Sequence, residues 1–275
     1  MWLDGVLVDP EHARIDLLDH GLTVGDGVFE TLQVVDGVPF ALTRHIQRLR
    51  RSLELLGLSL DRPDDELAAA ARAVSASGGA DQPAGALRVT VTSGGGPMGS
   101  GRGNDRLTVA MFAGPPSNWE PTTGVQTVPW RRNEHSAIAG AKTTSYAENV
   151  RALAEAKAHG STEAIFANTA GALCEGTGSN IFVVREGQLL TPALSTGCLA
   201  GITRALLLEL GHGAETDAFT LDDLRHADEA FLTSSTRDVQ PIALVDGATL
   251  PAAPGPLTEA AAIAFADLKA TNVDP

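Results

Sequence analysis

"VFETLQVVDGVPFALTRHIQRLRRSLELLG" (28–57) decides the fold class, because the spacing of its apolar residues changes partway along. Two apolar-rich runs flank Asp36-Gly37, a pair that tolerates the positive φ angles of a two-residue hairpin turn. Beyond the turn, Leu42, Ile46, Leu49, Leu53 and Leu56 recur at alternating steps of four and three. Those steps place them on one stripe of a helix that ends near Gly57. A hairpin feeding into an amphipathic helix predicts an α+β architecture.

Working outward, a second, alanine-rich helix is expected near 64–77, and "ALRVTVTS" (86–93) and "RLTVAMFA" (106–113) read as strands around a glycine-rich loop at 94–104. "GPPSNWEPTTG" (114–124) has no periodicity and is rich in Pro, Gly, Ser and Thr, which marks a linker. It divides the chain into an N-terminal α+β domain at 1–113 and a larger C-terminal domain at 125–275. The latter reads as a strand at "VQTVPW", an alanine-rich helix at 146–159, and short strands at "EAIFAN", "ALCE", "NIFVV" and "QLLTP" separated by glycine turns. A helix at 201–210, a short one at "TLDDLRHA", a strand at "EAFLTSS" and a closing helix at 256–268 complete it.

The 275 residues suffice for a substantial core in two domains. A net charge of −14 with arginine and lysine only in short pairs argues against a nucleic-acid surface. No apolar run approaches the roughly 20 residues that cross a bilayer, and "MWLDGVLVDPEHARID" has acids where a secretory signal carries basic and apolar regions, so a cytoplasmic protein without membrane contact is expected. Cys174 and Cys198 lack metal-ligand spacing and read as small buried thiols, and no metal site is expected.

Gly94, Gly96 and Gly99 spell G-x-G-x-x-G after a strand, but the chain then runs into another strand instead of the helix that would face a pyrophosphate, so a dinucleotide is rejected. The loop is either a long hairpin connection or an active-site loop whose Arg102 meets a substrate carboxylate. Amine nucleophiles are scarce, with only Lys142, Lys157 and Lys269 available. Lys157 falls within a continuous helix and Lys269 near the polar C-terminal end, whereas Lys142 is flanked by Gly140, Ala141, Thr143 and Thr144. Small neighbours leave room around the ε-nitrogen, as a Schiff-base lysine requires. Glu175 stands in an apolar, strand-like stretch before a Gly/Thr/Ser turn, either as an exposed edge residue or as a buried acid facing a protonated ring nitrogen. "AGITRALLLEL" (200–210) opens a helix with the N–H groups of Ile202 and Thr203 available to a phosphate, and "TSSTRD" (233–238) adds hydroxyls. These are the parts that a pyridoxal 5′-phosphate site needs.

Across nearly its whole length, through "GDGVFET" (25–31), "HIQRL" (45–49), "AKTTSY" (141–146), "CEGTGSNIF" (174–182), "GITR" (201–204), "TSSTRDVQPI" (233–242) and "PGPLT" (254–258), the chain resembles the class-IV, fold-type IV pyridoxal-phosphate enzymes. That family includes branched-chain aminotransferases, D-amino-acid aminotransferases and 4-amino-4-deoxychorismate lyases. The resemblance implies a small N-terminal α+β domain, a larger C-terminal domain with a barrel-like sheet, cofactor between them, and at least a homodimer. It makes Lys142 the Schiff-base lysine and proton shuttle, and Glu175 the partner of the pyridine nitrogen. Arg48 becomes the phosphate arginine, joined by the backbone at Ile202 and Thr203 and by Ser235 or Thr236. Aligned through the helix that follows, Tyr146 falls on the tyrosine whose hydroxyl bonds near the cofactor's ring oxygen; the alternative is a core tyrosine at a helix start.

Within the family the pocket departs from familiar patterns. Thr31 and Gln33 stand where branched-chain enzymes carry Gly and Arg, and Ser93 where D-amino-acid aminotransferases end a strand with arginine. A transaminase passing an amino group between a D-amino acid or related amine and a keto acid is expected first, with Arg88 or Arg102 trapping the carboxylate. The lyase comes next, and a branched-chain L-amino-acid aminotransferase third.

Overall fold

The computed structural model describes residues 1–77, 84–103 and 106–275; Asn104, the end of the glycine-rich loop expected at 94–104, lies outside the described residues. The chain forms two units. The first comprises Met1–Ser117 with two returning segments, Ala141–Tyr146 and Asn272–Pro275, and the second comprises Asn118–Gly140 and Ala147–Thr271. The second unit is thus interrupted once, at 141–146, and ends at Thr271.

The first unit contains β1 (Trp2–Leu3), β2 (Val6–Leu7), α1 (His20–Thr23), β3 (Gly27–Val35), β4 (Val38–Pro39), α2 (Leu42–Leu55), α3 (Asp64–Ala76), β5 (Ala86–Thr92) and β6 (Thr108–Gly114). The strands make one antiparallel sheet in the order β2-β1-β6-β5-β3-β4. Asp36 and Gly37 both take positive φ, 49° and 80°, and close the β3–β4 hairpin with Val35 opposite Val38. Alternation along the strands sorts the sheet into two faces. Val28, Leu32 and Val34 of β3, Leu87, Val89 and Val91 of β5, and Val109 and Met111 of β6 join one core with Ile46, Leu49 and Leu53 of α2 and Leu67, Ala70 and Val74 of α3. Phe29, Thr31 and Gln33, with Arg88 and Thr90 across from them, occupy the other face.

Both returning segments have work to do on this unit. Ala141–Tyr146 lies along β3: the Phe29 N–H donates to Lys142 O at 2.9 Å and the Thr144 N–H to Gly27 O at 2.8 Å. At the C-terminal end, the Asp274 carboxylate accepts from the Thr43 N–H at 2.9 Å and the Thr43 hydroxyl at 2.6 Å. Helix α2 begins at Ala41, whose side chain has no acceptor, so Asp274 satisfies a first-turn donor that the local sequence leaves open.

The second unit runs β7 (Thr123–Arg132), α4 (Ala147–Ala158), β8 (Glu163–Asn168), β9 (Leu173–Gly176), β10 (Asn180–Arg185), β11 (Gln188–Pro192), α5 (Ile202–Glu209), β12 (Ala214–Thr216), α6 (Leu221–Arg225), β13 (Glu229–Ser234), β14 (Asp238–Val245), β15 (Ala248–Thr249) and α7 (Pro256–Thr271). Its mixed sheet is ordered β12-β11-β10-β13-β14-β7-β8-β9, with β15 on β14. Irregularities in register at Ile242/Leu244, Thr127/Arg131 and Phe166/Ala167 bend the strands, and the sheet curls into a half barrel. Every residue of β8 is buried, because both faces are covered. Ile165 faces a core with Val125, Ile181, Leu232 and Ile242, while Ala164 and Phe166 pack on Ala152 and Ala156 of α4. No helix among the described residues is long and apolar enough to cross a membrane.

Candidate active site

In the first unit, Lys142, Tyr146 and Arg88 meet at one ring. Phe29, on β3, is 4% exposed. The Lys142 Nζ lies 4.5 Å from its centroid, the Arg88 guanidinium carbon 3.3 Å from it, and the Tyr146 ring stands edge-on at 5.3 Å. Lys142 is held by its backbone, since its N–H donates to Ser52 Oγ at 3.1 Å while its carbonyl accepts from Phe29. Arg88 pairs across the strands with Thr31 and donates to the hydroxyls of Thr31 at 3.2 Å and Thr90 at 3.4 Å. Gln33 lies two residues further along the same face.

Arg102 lies elsewhere. Its guanidinium grips Asp26 through two bonds of 2.7 and 2.8 Å and donates to the carbonyls of Leu56 and Gly57 at the end of α2. Hydrogen bonding to Arg102 holds the Asp26 carboxyl below its usual range against the opposing effect of burial. Arg102 therefore ties the glycine-rich loop to the strand entrance and the helix end.

Beneath the sheet, Glu30 occupies a core-facing position of β3 and is 1% exposed. It accepts from Arg48 Nε at 2.8 Å and Nη2 at 2.6 Å and from His45 Nδ1 at 2.7 Å. Burial pushes the Glu30 carboxyl up, but Arg48 and His45 outweigh it and hold the group at about 2. For His45 burial prevails and lowers its pKa. Because Glu30 is depressed in the folded chain, its contribution is fully present above the unfolded value of 4.5 and is lost as pH falls from there towards 2. Urea unfolding at pH 6 and pH 3 is expected to show a loss of roughly 2 kcal/mol in the native chain beyond that in Glu30→Gln. Equal losses in both would refute the ion pair. The sequence carried a signal for this cluster: a carboxylate at a core position of β3, and His45 and Arg48 one turn apart on the buried stripe of α2.

In the second unit, Glu175 sits on β9, half-buried. Its Oε2 accepts the Leu199 N–H at 2.8 Å, and its Oε1 lies 3.1 Å from Arg132 Nε. Arg132 lies over the Phe166 ring at 4.3 Å and donates to Asn149 Oδ1 at 2.9 Å and Glu148 Oε2 at 3.1 Å. Buried Glu163 orders the turn after Glu175, accepting from the Thr177 N–H at 3.0 Å, the Thr177 hydroxyl and the Ser179 hydroxyl at 2.9 Å. Neither Arg132 nor Glu163 was identified from the sequence.

Helix α5 begins at Gly201, which offers no side-chain acceptor and could hold none: a Cβ there would fall 1.9 Å from Asn180 Oδ1. Ile202 and Thr203 are buried in the first turn. Ser235 and Thr236 lie in the tight connection between β13 and β14, next to Thr233, whose hydroxyl is buried without a partner among the described residues. Cys174 and Cys198 are free and buried, and burial raises both thiols, Cys198 to about 11.

The sequence model of the amino-transferase class IV family matches residues 27–245. The chain is 32% identical to the D-alanine aminotransferase of Bacillus licheniformis, over 93% of this chain and 92% of that one. It is also 32% identical to the branched-chain-amino-acid aminotransferase of Pseudomonas aeruginosa, over 98% and 92%. The solved branched-chain aminotransferase of Thermoproteus uzoniensis superposes with a TM-score of 0.87 at 33% identity, covering 97% of this chain and 93% of that one. The chain belongs to the class IV aminotransferases. It has the fold-type IV architecture, and pyridoxal 5′-phosphate is the family's cofactor. The chain's residues fit that group. A buried, uncapped helix start at Ile202 and Thr203 and the unpartnered Thr233 hydroxyl are donors suited to a phosphate. A carboxylate held by an arginine and an N–H is an acceptor suited to a protonated ring nitrogen.

Proposed function

We propose that this chain is a transaminase for α-amino acids bearing one carboxylate, with a D-amino acid as donor and a 2-keto acid as acceptor. The carrying observation is Arg88: a half-buried cation with no carboxylate partner among the described residues, sharing the Phe29 ring with Lys142. Arg102 is already bound to Asp26, so the substrate carboxylate is assigned to Arg88. Thr31 and Gln33 line the adjacent face without adding charge.

The cofactor, when bound, supplies an electron sink for the charge left at the α-carbon. Lys142 holds it covalently and then moves the α-proton, and Glu175 keeps its ring nitrogen protonated. Arg48, the N–H groups of Ile202 and Thr203, and Ser235 and Thr236 bind its phosphate. Tyr146 bonds near its ring oxygen. A homodimer belongs to the same reading, supported by the exposed Ile15, Leu17, Leu18, Leu22 and Val24 along one segment.

A branched-chain L-amino-acid substrate is the second reading, favoured by the Pseudomonas and Thermoproteus relatives. A panel of single amino acids without acceptor separates the readings. D-alanine is expected to bleach the bound cofactor and release pyruvate, at most one per site, and Arg88→Gln to raise its KM by about 10- to 100-fold. Bleaching by L-leucine or L-valine alone selects the second reading. Release of 4-aminobenzoate from aminodeoxychorismate with no keto acid, and no bleaching by any amino acid, selects the lyase.

A further inference from the structure

Ser234 pairs with Asp238 across β13 and β14, so Ser235, Thr236 and Arg237 form the connection between the two strands. The Arg237 N–H donates back to Ser234 Oγ at 3.2 Å, and Asp238 takes a φ of 56°, a left-handed conformation that persists where surrounding contacts fix it. The Arg237 side chain supplies such contacts. Its guanidinium carbon lies 3.6 Å from the centroid of the Trp119 ring, Nη1 donates to Gln240 Oε1, and Nη2 donates to Thr162 O at 3.4 Å. The same Nη2 stands 3.8 Å from Glu163 Oε2, in an ion pair whose side chains are 5% and 2% exposed. Gln240 is held in turn, its Nε2 donating to Glu120 O at 2.8 Å. Glu163 also accepts from Thr177 and Ser179 in the turn after Glu175. One buried carboxylate is thereby shared by two turns, and Arg237 offsets its charge.

Resting on the phosphate role given above to Ser235 and Thr236, we propose that Arg237 is the positioning residue of that phosphate site. It ties the connection carrying the two hydroxyls to Glu163, and Trp119 covers it there. Arg237 follows both hydroxyls in the chain, yet it is not itself a phosphate ligand, because its guanidinium is taken by Glu163, Thr162, Gln240 and the indole ring. What it fixes is the place of the connection. Since one carboxylate holds both turns, residues 235 and 236 keep a set spacing from Thr177 and Ser179 before a ligand arrives. Donors already in place need no rearrangement on binding, and the gain falls on the group they meet. The tether therefore favours the phosphate of the cofactor and is indifferent to its ring and aldehyde. Trp119 belongs to the stretch read from the sequence as a linker, which on this account also closes over the support of the phosphate site.

The test is equilibrium loading of the full chain, followed by absorbance, with pyridoxal 5′-phosphate and with pyridoxal, which has the same ring and aldehyde but no phosphate. The ratio of the two dissociation constants measures the preference for the phosphate. Arg237→Gln is expected to lower that preference about tenfold by weakening the phosphorylated ligand while pyridoxal binds as in the native chain. Trp119→Ala removes only the stacked ring and leaves the buried ion pair, so it should lower the preference about two- to fivefold. Equal weakening of both ligands in Arg237→Gln would mark a general packing defect and overturn the proposal, as would a native preference in that variant. Should Arg237→Gln not fold, a native preference in Trp119→Ala overturns it instead. The double variant Ser235→Ala, Thr236→Ala separates the two levels of failure. A native preference there defeats the phosphate reading itself, whereas a preference lost there but kept in Arg237→Gln defeats only the tether.

Discussion

Lys142→Ala is expected to eliminate the borohydride-stable cofactor adduct and to lower turnover by about four orders of magnitude or more, since one side chain serves both as covalent anchor and as proton carrier. The fold should survive. What Lys142 contributes to the first unit is its backbone, through Phe29 and Ser52, and alanine preserves both bonds. Its amine rests on the Phe29 ring, and removing a single contact of that kind costs about 1 kcal/mol. Lys157 on the exposed side of α4 and Lys269, paired with Asp238, are the controls. Alanine at either should leave the adduct in place, and a mapped adduct at Lys157 would refute the assignment.

The hairpin and helix of 28–57 were legible because both follow from local rules: Asp36-Gly37 suits its turn, and the four-three spacing of Leu42 to Leu56 points one way on a helix. β14 was not, because Pro241 argues against a central strand, yet β14 pairs with both β13 and β7 and absorbs the irregularity in a bulge at Ile242/Leu244. The attachment of Ala141–Tyr146 to β3 was also hidden. It depends on pairing between Val28 and Thr143, more than a hundred residues apart, and no periodicity reports such a contact. The scarcity of lysine singles out Lys142, and the resemblance Tyr146, but their shared partner, Phe29, is an ordinary strand residue in the sequence. Arg48 was read only as the phosphate arginine, and the structure adds Glu30, which holds it and also accepts from His45. Arg132 went unnoticed because it ends a strand as one of two adjacent arginines. Only the neighbouring strands β8 and β9, which bring Phe166 and Glu175 to it, distinguish it from Arg131.

That bracing of Glu175 makes its removal the second large effect. An ionised carboxylate at this position is favoured twice, by the Arg132 guanidinium at 3.1 Å and by the Leu199 N–H at 2.8 Å. Glu175→Gln keeps the size and can still accept from Leu199, so melting and cofactor affinity should change little. It removes the negative charge, and a neutral amide cannot hold a pyridine nitrogen protonated, so the charge developing at the α-carbon loses its sink. Proton abstraction should slow by about 100- to 10,000-fold, read as the primary deuterium isotope effect and rate of single-turnover bleaching. Arg132→Gln offers the graded comparison: Glu175 stays but loses its charged brace, so the same step should slow by a smaller factor, about tenfold. It should also shift the pH dependence of that step, which a defect in packing alone would not do. Wild-type bleaching in Glu175→Gln would show that the ring nitrogen has another partner. An Arg132→Gln effect as large as that of Glu175→Gln would instead make the pair, not the carboxylate alone, the unit that protonates the ring.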